Sequence, residues 1–177
     1  MANQRLTDKT ALEEQTGSGD LYMIEDVSDT KGSAAGTSKK LDSKFVLQTD
    51  KFSLDNTEVL ALETTPKVLV GALSGYMVSP ISATVLVSHA GSNEGSNNNL
   101  MFGWDNTNDL LYWDRGSRFF GGNSADQSYV FSGGQPGGGV DAGSLINKSF
   151  KMWASGAGFN GGWSCDVYLT YCYTKIL

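Results

Sequence analysis

The clearest structural pattern in the sequence is the run WSCDVYLTYCYTKI at residues 163–176. Apolar and polar residues alternate along it, which is typical of an antiparallel strand with one face in a core and the other toward water. The predicted core face carries Trp163, Cys165, Val167, Leu169, Tyr171 and Tyr173. The opposite face carries Ser164, Asp166, Tyr168, Thr170, Cys172 and Thr174. The pattern therefore predicts a long, half-buried strand at this end of the chain.

Shorter strand-like segments precede this run, with turn residues between them. No segment of this region keeps a helical period of 3.6 residues, and many short strands at loose spacing are typical of a sandwich. The predicted strands are residues 58–63, 67–71, 83–89, 99–104, 110–114, 128–132, 145–155 and 163–176. We expect a mainly β fold whose C-terminal part is an antiparallel β-sandwich, jelly-roll-like.

The composition of the chain changes between residues 53 and 66. Residues 1–63 hold 19 charged residues and 3 aromatic ones, whereas residues 64–177 hold 13 charged and 16 aromatic residues. Such a shift indicates a domain boundary. We therefore expect an N-terminal docking module at residues 1–55 and a β-sandwich domain at residues 56–177.

The N-terminal module is predicted to be a β-hairpin with short helices. Residues 20–27 and 37–41 can pair across a turn-rich loop, while capping residues at Thr10 and at Asp42 or Ser43 predict short helices. A lone two-stranded hairpin is marginal in water, so this module needs a partner surface. Its predicted docking residues are Leu21, Tyr22, Ile24, Val27, Leu41 and Phe45.

The segment GDLYMIEDVSDT at residues 19–30, followed after a Gly/Ala/Ser loop by GTSKKL at residues 36–41, carries a family resemblance. It resembles a segment near the N-terminus of tailed-bacteriophage particle proteins of the tail-fibre, head-fibre or capsid-decoration type. The resemblance covers roughly residues 6–52, and residues 41–44 are more charged than the apolar helix of that family segment.

This resemblance implies a non-enzymatic virion structural protein that docks by its N-terminal module and displays a sandwich knob. It implies a homotrimer in contact with other virion proteins of the capsid or tail. The implied location is the virion, after assembly in the host cytoplasm. Whether the protein sits on the capsid or on the tail stays open.

Charge and hydropathy exclude other functions. The chain has 13 basic and 19 acidic residues, a net charge of −6 and a sequence pI of about 4.6. Nucleic-acid binding depends on cations at phosphates, so we expect no nucleic-acid partner. No window approaches the roughly 18 apolar residues of a membrane span, and the first residues lack the apolar core of a secretory signal. We therefore expect no membrane insertion.

The sequence also predicts no enzyme, no cofactor and no metal. His89 is the one histidine and has no ligand or triad partner at a suitable spacing. Asp105 and Asp109 flank a turn signal that lacks the glycine and distal glutamate of a calcium loop. Glycosidic chemistry, for which Asp114 is a third acid, would require two carboxyls facing each other in a pocket. The glycines of residues 133–139 lack the lysine of a phosphate loop.

Aromatic residues supply the alternative function. Trp104, Trp113 and Trp153 would bind a receptor or a host surface glycan if they formed one exposed groove, because aromatic rings stack on sugars and protein partners. The alternative is therefore a lectin-like fibre head involved in host attachment. A cytoplasmic homo-oligomer unrelated to a virus is a further possibility. Cys165 and Cys172 are seven residues apart and cannot pair within one strand, so buried thiols, an intermolecular disulfide and a reactive thiol all stay open.

Overall fold

The computed structural model describes residues 21–26, 37–42, 45–104, 110–115, 119–133 and 141–176, the first two ranges by their backbone. The chain divides into two compact units, residues 1–44 and residues 45–177. The division lies before the predicted boundary between residues 55 and 56. Residues 48–54 form a strand of the second unit's sheet, which places them with the sandwich.

The first unit contains a β-hairpin. Strands β1 (Leu21–Asp26) and β2 (Thr37–Asp42) pair antiparallel, with Leu21 opposite Asp42 at one end and Asp26 opposite Thr37 at the other. The predicted hairpin is thus confirmed. The predicted helix after Thr10 lies outside the described residues.

The second unit is a sandwich of two four-stranded antiparallel sheets. One sheet has the order β3-β10-β5-β8, and the other has the order β4-β9-β6-β7. The strands are β3 (Gln48–Leu54), β4 (Lys67–Val70), β5 (Tyr76–His89), β6 (Leu100–Trp104), β7 (Leu111–Arg115), β8 (Gln127–Ser132), β9 (Phe150–Ala154) and β10 (Trp163–Lys175).

The strand orders identify the topology. If the eight sandwich strands are lettered B to I in chain order, the two sheets read B-I-D-G and C-H-E-F. This is the arrangement of a jelly roll, in which two Greek keys close over one core. The mainly β, jelly-roll-like fold expected from the sequence is therefore confirmed.

The core lies between the two sheets and follows from the alternation along each strand. On β10 the residues from Trp163 to Tyr171 alternate between buried and partly exposed, as the sequence predicts. Aromatic rings fill much of the space between the sheets and meet in edge-to-face and tilted contacts. Large buried side chains of the core are Phe102, Phe119, Phe120, Phe150, Leu169 and Trp163.

A short helix stands where the sequence predicted a strand. Helix α1 (Asn56–Leu60) begins at a capping box, in which Asp55 accepts from the Glu58 N–H and Glu58 accepts from the Asp55 N–H. The predicted strand at residues 58–63 is therefore wrong, because the cap sets a helical turn and buries Val59 on its inner side.

The two cysteines lie on opposite sides of β10 and are both free thiols. Cys165 faces the core, and its burial raises its pKa to about 12, so it stays a neutral thiol. Cys172 is partly exposed on the outer face, opposite Ser79 of β5. The alternation thus places the thiols on opposite faces, as predicted.

Candidate functional site: the loop cluster around Glu94

The predicted docking residues are divided between the two units. Tyr22 and Leu41 face each other directly in the register of the hairpin, and Ile24 pairs with Lys39. Phe45 belongs to the second unit, where its ring packs on Tyr76 at 5.1 Å. Leu21 starts β1, and Val27 lies outside the described residues.

The three tryptophans considered as binding residues are all buried. Trp104, Trp113 and Trp153 are 3%, 4% and 6% exposed. Trp104 donates to the Val78 carbonyl at 3.1 Å, and Trp113 donates to the Gly133 carbonyl at 3.4 Å. The exposed aromatic groove considered for these residues is therefore wrong, because all three indoles are buried and two of them, Trp104 and Trp113, pack in the core.

The other candidate residues do not form a reactive group among the described parts of the chain. His89 ends β5 and packs on Phe120, and its Nε2 has no hydrogen-bond partner among the described residues. Asp114 is exposed and accepts from Asn99 at 3.3 Å, while burial of part of its carboxyl raises its pKa. Asp105 and Asp109 lie outside the described residues.

A small cleft of about 180 Å³ lies between α1 and the start of β4. Of the described residues that line it, Glu58 is the single carboxylate, and its Oε1 lies 2.6 Å from the Lys67 Nζ. The hydrogen bond from Lys67 lowers the pKa of Glu58. One ionised, paired carboxylate does not supply the acid and base that glycoside hydrolysis requires.

The most organised polar group of the described chain is Glu94, which the sequence analysis did not identify. It lies in the loop between β5 and β6 and is 1% exposed, although most buried acids require pairing. Its loop reaches two further loops at the same end of the sandwich. We call the described residues 91–99, 119–123 and 155–162 the loop cluster.

Four N–H groups satisfy the Glu94 carboxylate. One oxygen accepts from the backbone N–H of Ser96 at 2.8 Å, and the other accepts from Gly161 at 2.9 Å and from the Trp163 indole at 2.9 Å. The backbone N–H of Asn160 lies 3.1 and 3.2 Å from the two oxygens. Hydrogen bonds from oriented N–H groups are what allow a buried carboxylate to stay ionised.

The pKa of Glu94 reflects this balance. Burial alone would raise it, but the hydrogen bonds from Trp163, Ser96 and Gly161 outweigh burial and leave the pKa below its ordinary value. Glu94 is therefore a carboxylate at neutral pH. Because its oxygens are already committed to N–H donors, it holds the loops together and is poorly placed to act as a catalytic base.

The backbone of Glu94 and of its neighbour extends the cluster. The Glu94 carbonyl accepts from Gly122 at 2.9 Å, and Glu94 forms a parallel bridge with Gly121. The Gly95 N–H donates to the Asn160 Oδ1 at 3.0 Å. One residue thus connects all three loops through both its main chain and its side chain.

Close backbone approach explains the glycines of the sequence NGGW at residues 160–163. A Cβ on Gly161 would lie 2.8 Å from the Cα of Glu94, and a Cβ on Gly162 would lie 2.8 Å from the Cα of Gly91. Both distances are shorter than side-chain contacts allow, so glycine is required at these positions. The loops can pack this closely only with glycine at positions 161 and 162.

An aromatic base lies beneath the carboxylate. The Trp163 ring is fully buried and packs on Phe119, Phe120 and Phe159, with centroid distances of 5.1–5.6 Å. Phe120 adopts a left-handed backbone conformation (φ 58°), which is uncommon for a bulky residue and is retained only where packing determines it. The loop cluster is therefore fixed to the core.

The described residues contain no group of three or more His, Cys, Asp or Glu side chains arranged to hold a metal ion. Among the same residues, no helix has the length and apolar character needed to cross a membrane. Comparison of the chain with family models, with curated proteins and with solved structures found no match.

Proposed function

We propose that the chain is a non-enzymatic structural protein of a tailed-phage particle, a short fibre or decoration protein. Its N-terminal unit docks to the particle, and its jelly roll is displayed as a knob. The observation that carries the proposal is the division of the chain into a small hairpin unit and a complete sandwich. The proposed location is the virion, after assembly in the host cytoplasm.

The hairpin unit supports docking because its described part lacks a second layer. Its two described strands form one ladder of six residue pairs, and a sheet of this size is marginal in water unless another surface covers it. Residues 19–30 and 36–41 of the same unit carry the resemblance to phage particle proteins. Physical need and resemblance thus favour the same part of the chain.

The second unit supports a structural role because its topology is one that viral capsid proteins use. Jelly rolls occur in capsid and lectin domains, although a fold alone does not decide function. The loop cluster around Glu94 adds rigidity at one end of the knob, because the buried Glu94 side chain accepts from four N–H groups and its main chain bonds a third loop. A rigid knob fits a protein that must persist on a particle surface.

We further propose that the chain assembles as a homotrimer and contacts other virion proteins. The outer face of the sheet β3-β10-β5-β8 bears few charges and exposes Leu86 and Val130, the latter with 70% of its surface accessible. Apolar side chains on an otherwise polar face are suited to contact with sister copies. The copy number of the purified chain in solution, measured by analytical ultracentrifugation, tests this assembly.

The lectin-like alternative loses the residues that would have carried it. Host attachment through Trp104, Trp113 and Trp153 requires exposed rings, and all three are at least nine-tenths buried. We therefore prefer the structural role to a lectin-like role that depends on these three indoles.

Quantitative mass spectrometry of purified particles tests the proposed function. We expect the chain to co-purify with the particles in a fixed copy number that is a multiple of three and to resist washing at high salt. Particles that form normally and contain none of the chain would contradict the proposal. A chain lacking the Leu86 and Val130 side chains (Leu86→Ser with Val130→Ser) should still fold but should lose the fixed copy number.

A further inference from the structure

The sequence contains one Asn-Gly dipeptide, Asn160–Gly161, and it lies inside the loop cluster. In a flexible chain this dipeptide is prone to deamidation, because glycine has no side chain to block approach of its own nitrogen. The Gly161 nitrogen loses its proton and attacks the Asn160 Cγ. The new C–N bond forms, the bond from Cγ to Nδ2 breaks, and ammonia leaves. Water then opens the cyclic imide to aspartate or isoaspartate.

We propose that Asn160–Gly161 is a latent modification site, a deamidation site that Glu94 and Gly95 keep closed in the native protein. The two reacting groups are bonded to different partners. The Gly161 N–H donates to the Glu94 carboxylate at 2.9 Å, and the Asn160 Oδ1 accepts from the Gly95 N–H at 3.0 Å. Asn160 is exposed, so water reaches its side chain whenever these bonds open.

Ring closure would break these interactions. A reacting pair must come within roughly 3–3.5 Å in the correct orientation. Rotation of the Asn160 amide toward the Gly161 nitrogen would break its bond to Gly95, and movement of that nitrogen would remove a donor from the buried Glu94. An unsatisfied buried charge is costly, so the native bonds oppose the attack geometry.

Glu94 could in principle act oppositely, as a base that removes the Gly161 proton. Its lowered pKa makes it a weak base, and its four N–H donors share the same two oxygens. We therefore assign it the protective role. The two roles predict opposite effects when the carboxylate is replaced by an amide.

The sequence cannot easily avoid this labile pair. A Cβ on Gly161 would lie 2.8 Å from the Cα of Glu94 and 2.9 Å from the Trp163 ring. The Asn160 side chain is needed as the acceptor for Gly95. Deamidation would insert a new carboxylate beside the buried one of Glu94, and like charges at this range repel. After deamidation of Asn160, the hydrogen bonds among Glu94, Gly95 and Gly161 should therefore fail to form again.

The test uses the full chain and an internal reference, Asn123–Ser124, whose asparagine lies in the 119–123 loop of the same cluster. Samples are incubated at mildly alkaline pH, either native or in concentrated urea, and both sites are quantified by peptide mapping. In urea we expect Asn160 to deamidate faster than Asn123. In the native chain we expect the order to invert, with Asn160 slowed by about tenfold or more because its attack geometry is lost.

Glu94→Gln tests the assignment of the protector, with Glu63→Gln as the matched control because Glu63 is exposed. We expect Glu94→Gln to restore fast deamidation at Asn160 relative to Asn123 under conditions where circular dichroism shows a folded chain. We expect Glu63→Gln to behave like the unmodified sequence. Equal Asn160 rates in native and urea samples, or slower deamidation in Glu94→Gln, would overturn the proposal.

Discussion

The hairpin of the first unit (residues 1–44) and the jelly roll of the second unit (residues 45–177) are both built from antiparallel strand pairs, but they differ in the number of layers described. In the jelly roll, each sheet covers the apolar face of the other, and rings such as Phe102 and Trp163 are fully buried between them. In the described part of the hairpin, two strands form a single layer. Burial of apolar surface is the main favourable term in folding, so the two units should differ sharply in stability.

The difference assigns the stability of the chain and its proposed need for a partner surface to different units. Stability resides in the second unit, whose core and loop cluster are complete within one chain. The proposed need for a partner resides in the first unit. A chain arranged in this way can be fully folded at one end and still depend on another surface at the other.

Separating the two units gives the largest expected effect. We expect a fragment of residues 45–177 to unfold cooperatively in urea, with a midpoint close to that of the whole chain. We expect a peptide of residues 1–44 to show no cooperative transition, because a two-stranded sheet lacks sufficient buried surface. Circular dichroism and hydrogen exchange measure both. Protected strand amides in the peptide would contradict this expectation.

Within the jelly roll, Gly161→Ala should produce the next largest effect. Its Cβ would lie 2.8–2.9 Å from atoms of Glu94 and Trp163, and overpacking of this kind costs about 1–3 kcal/mol. Gly71→Ala is the matched control, because a Cβ there meets nothing within 4 Å. Urea unfolding measures the loss. Equal free energies of unfolding for the two variants would show that the loops are not closely packed.

Glu94→Gln should lower the free energy of unfolding by about 2 kcal/mol at neutral pH, the range for hydrogen bonds to a charged group. Because the folded pKa is lowered, the stabilisation by the carboxylate is complete above the ordinary pKa of glutamate. It is lost as the pH falls through the lowered folded value.

The difference between Glu94→Gln and the original chain should therefore shrink in acid. Urea unfolding across a pH series measures it, with Glu63→Gln as the control. A difference that grows in acid would mean that Glu94 is protonated in the native chain.

The smallest effect should come from the helix cap. Asp55→Ala removes the acceptor of the Glu58 N–H, and loss of such a cap costs about 1 kcal/mol. Thr57→Ala, on an exposed position of the same helix, is the control and should change stability little. If both variants were equally stable, the Asp55 cap would contribute nothing measurable to the stability of the chain.

The sequence predicted most of the strands because their alternation is local information. Strand β10 shows it best, since residues 163–175 alternate as expected along their buried part. The first half of β5 was missed because Pro80 lies within it, and a proline in a sequence argues against a central strand. In the structure, the pairing of β5 with β10 shifts register beside this proline, between Thr170 and Tyr171. Strand β3 was missed because its outward positions are polar and the local charge resembled that of the N-terminal module.

The candidate site was harder to predict because its contacts are distant in the chain. Glu94 lies in a stretch of Ser, Gly and Asn, and the donors from Asn160, Gly161 and Trp163 are 66–69 residues away. Two sequence features could have indicated the site: Glu94 is the single acid in that polar stretch, and the NGGW sequence at residues 160–163 has adjacent glycines. The sequence left open whether Trp104, Trp113 and Trp153 form an exposed groove or pack in a core, because indoles of both kinds occur in similar local sequence, and the structure buries all three.

We propose that residues 1–44 attach the chain to a phage particle and that the jelly roll folds without them. The most direct measurement compares incorporation into particles of two labelled chains, residues 1–177 and residues 45–177, when both are expressed during assembly. We predict that the full chain is recovered with purified particles and that the shorter chain is folded in the lysate but absent from them. Equal incorporation of the two chains would contradict the claim.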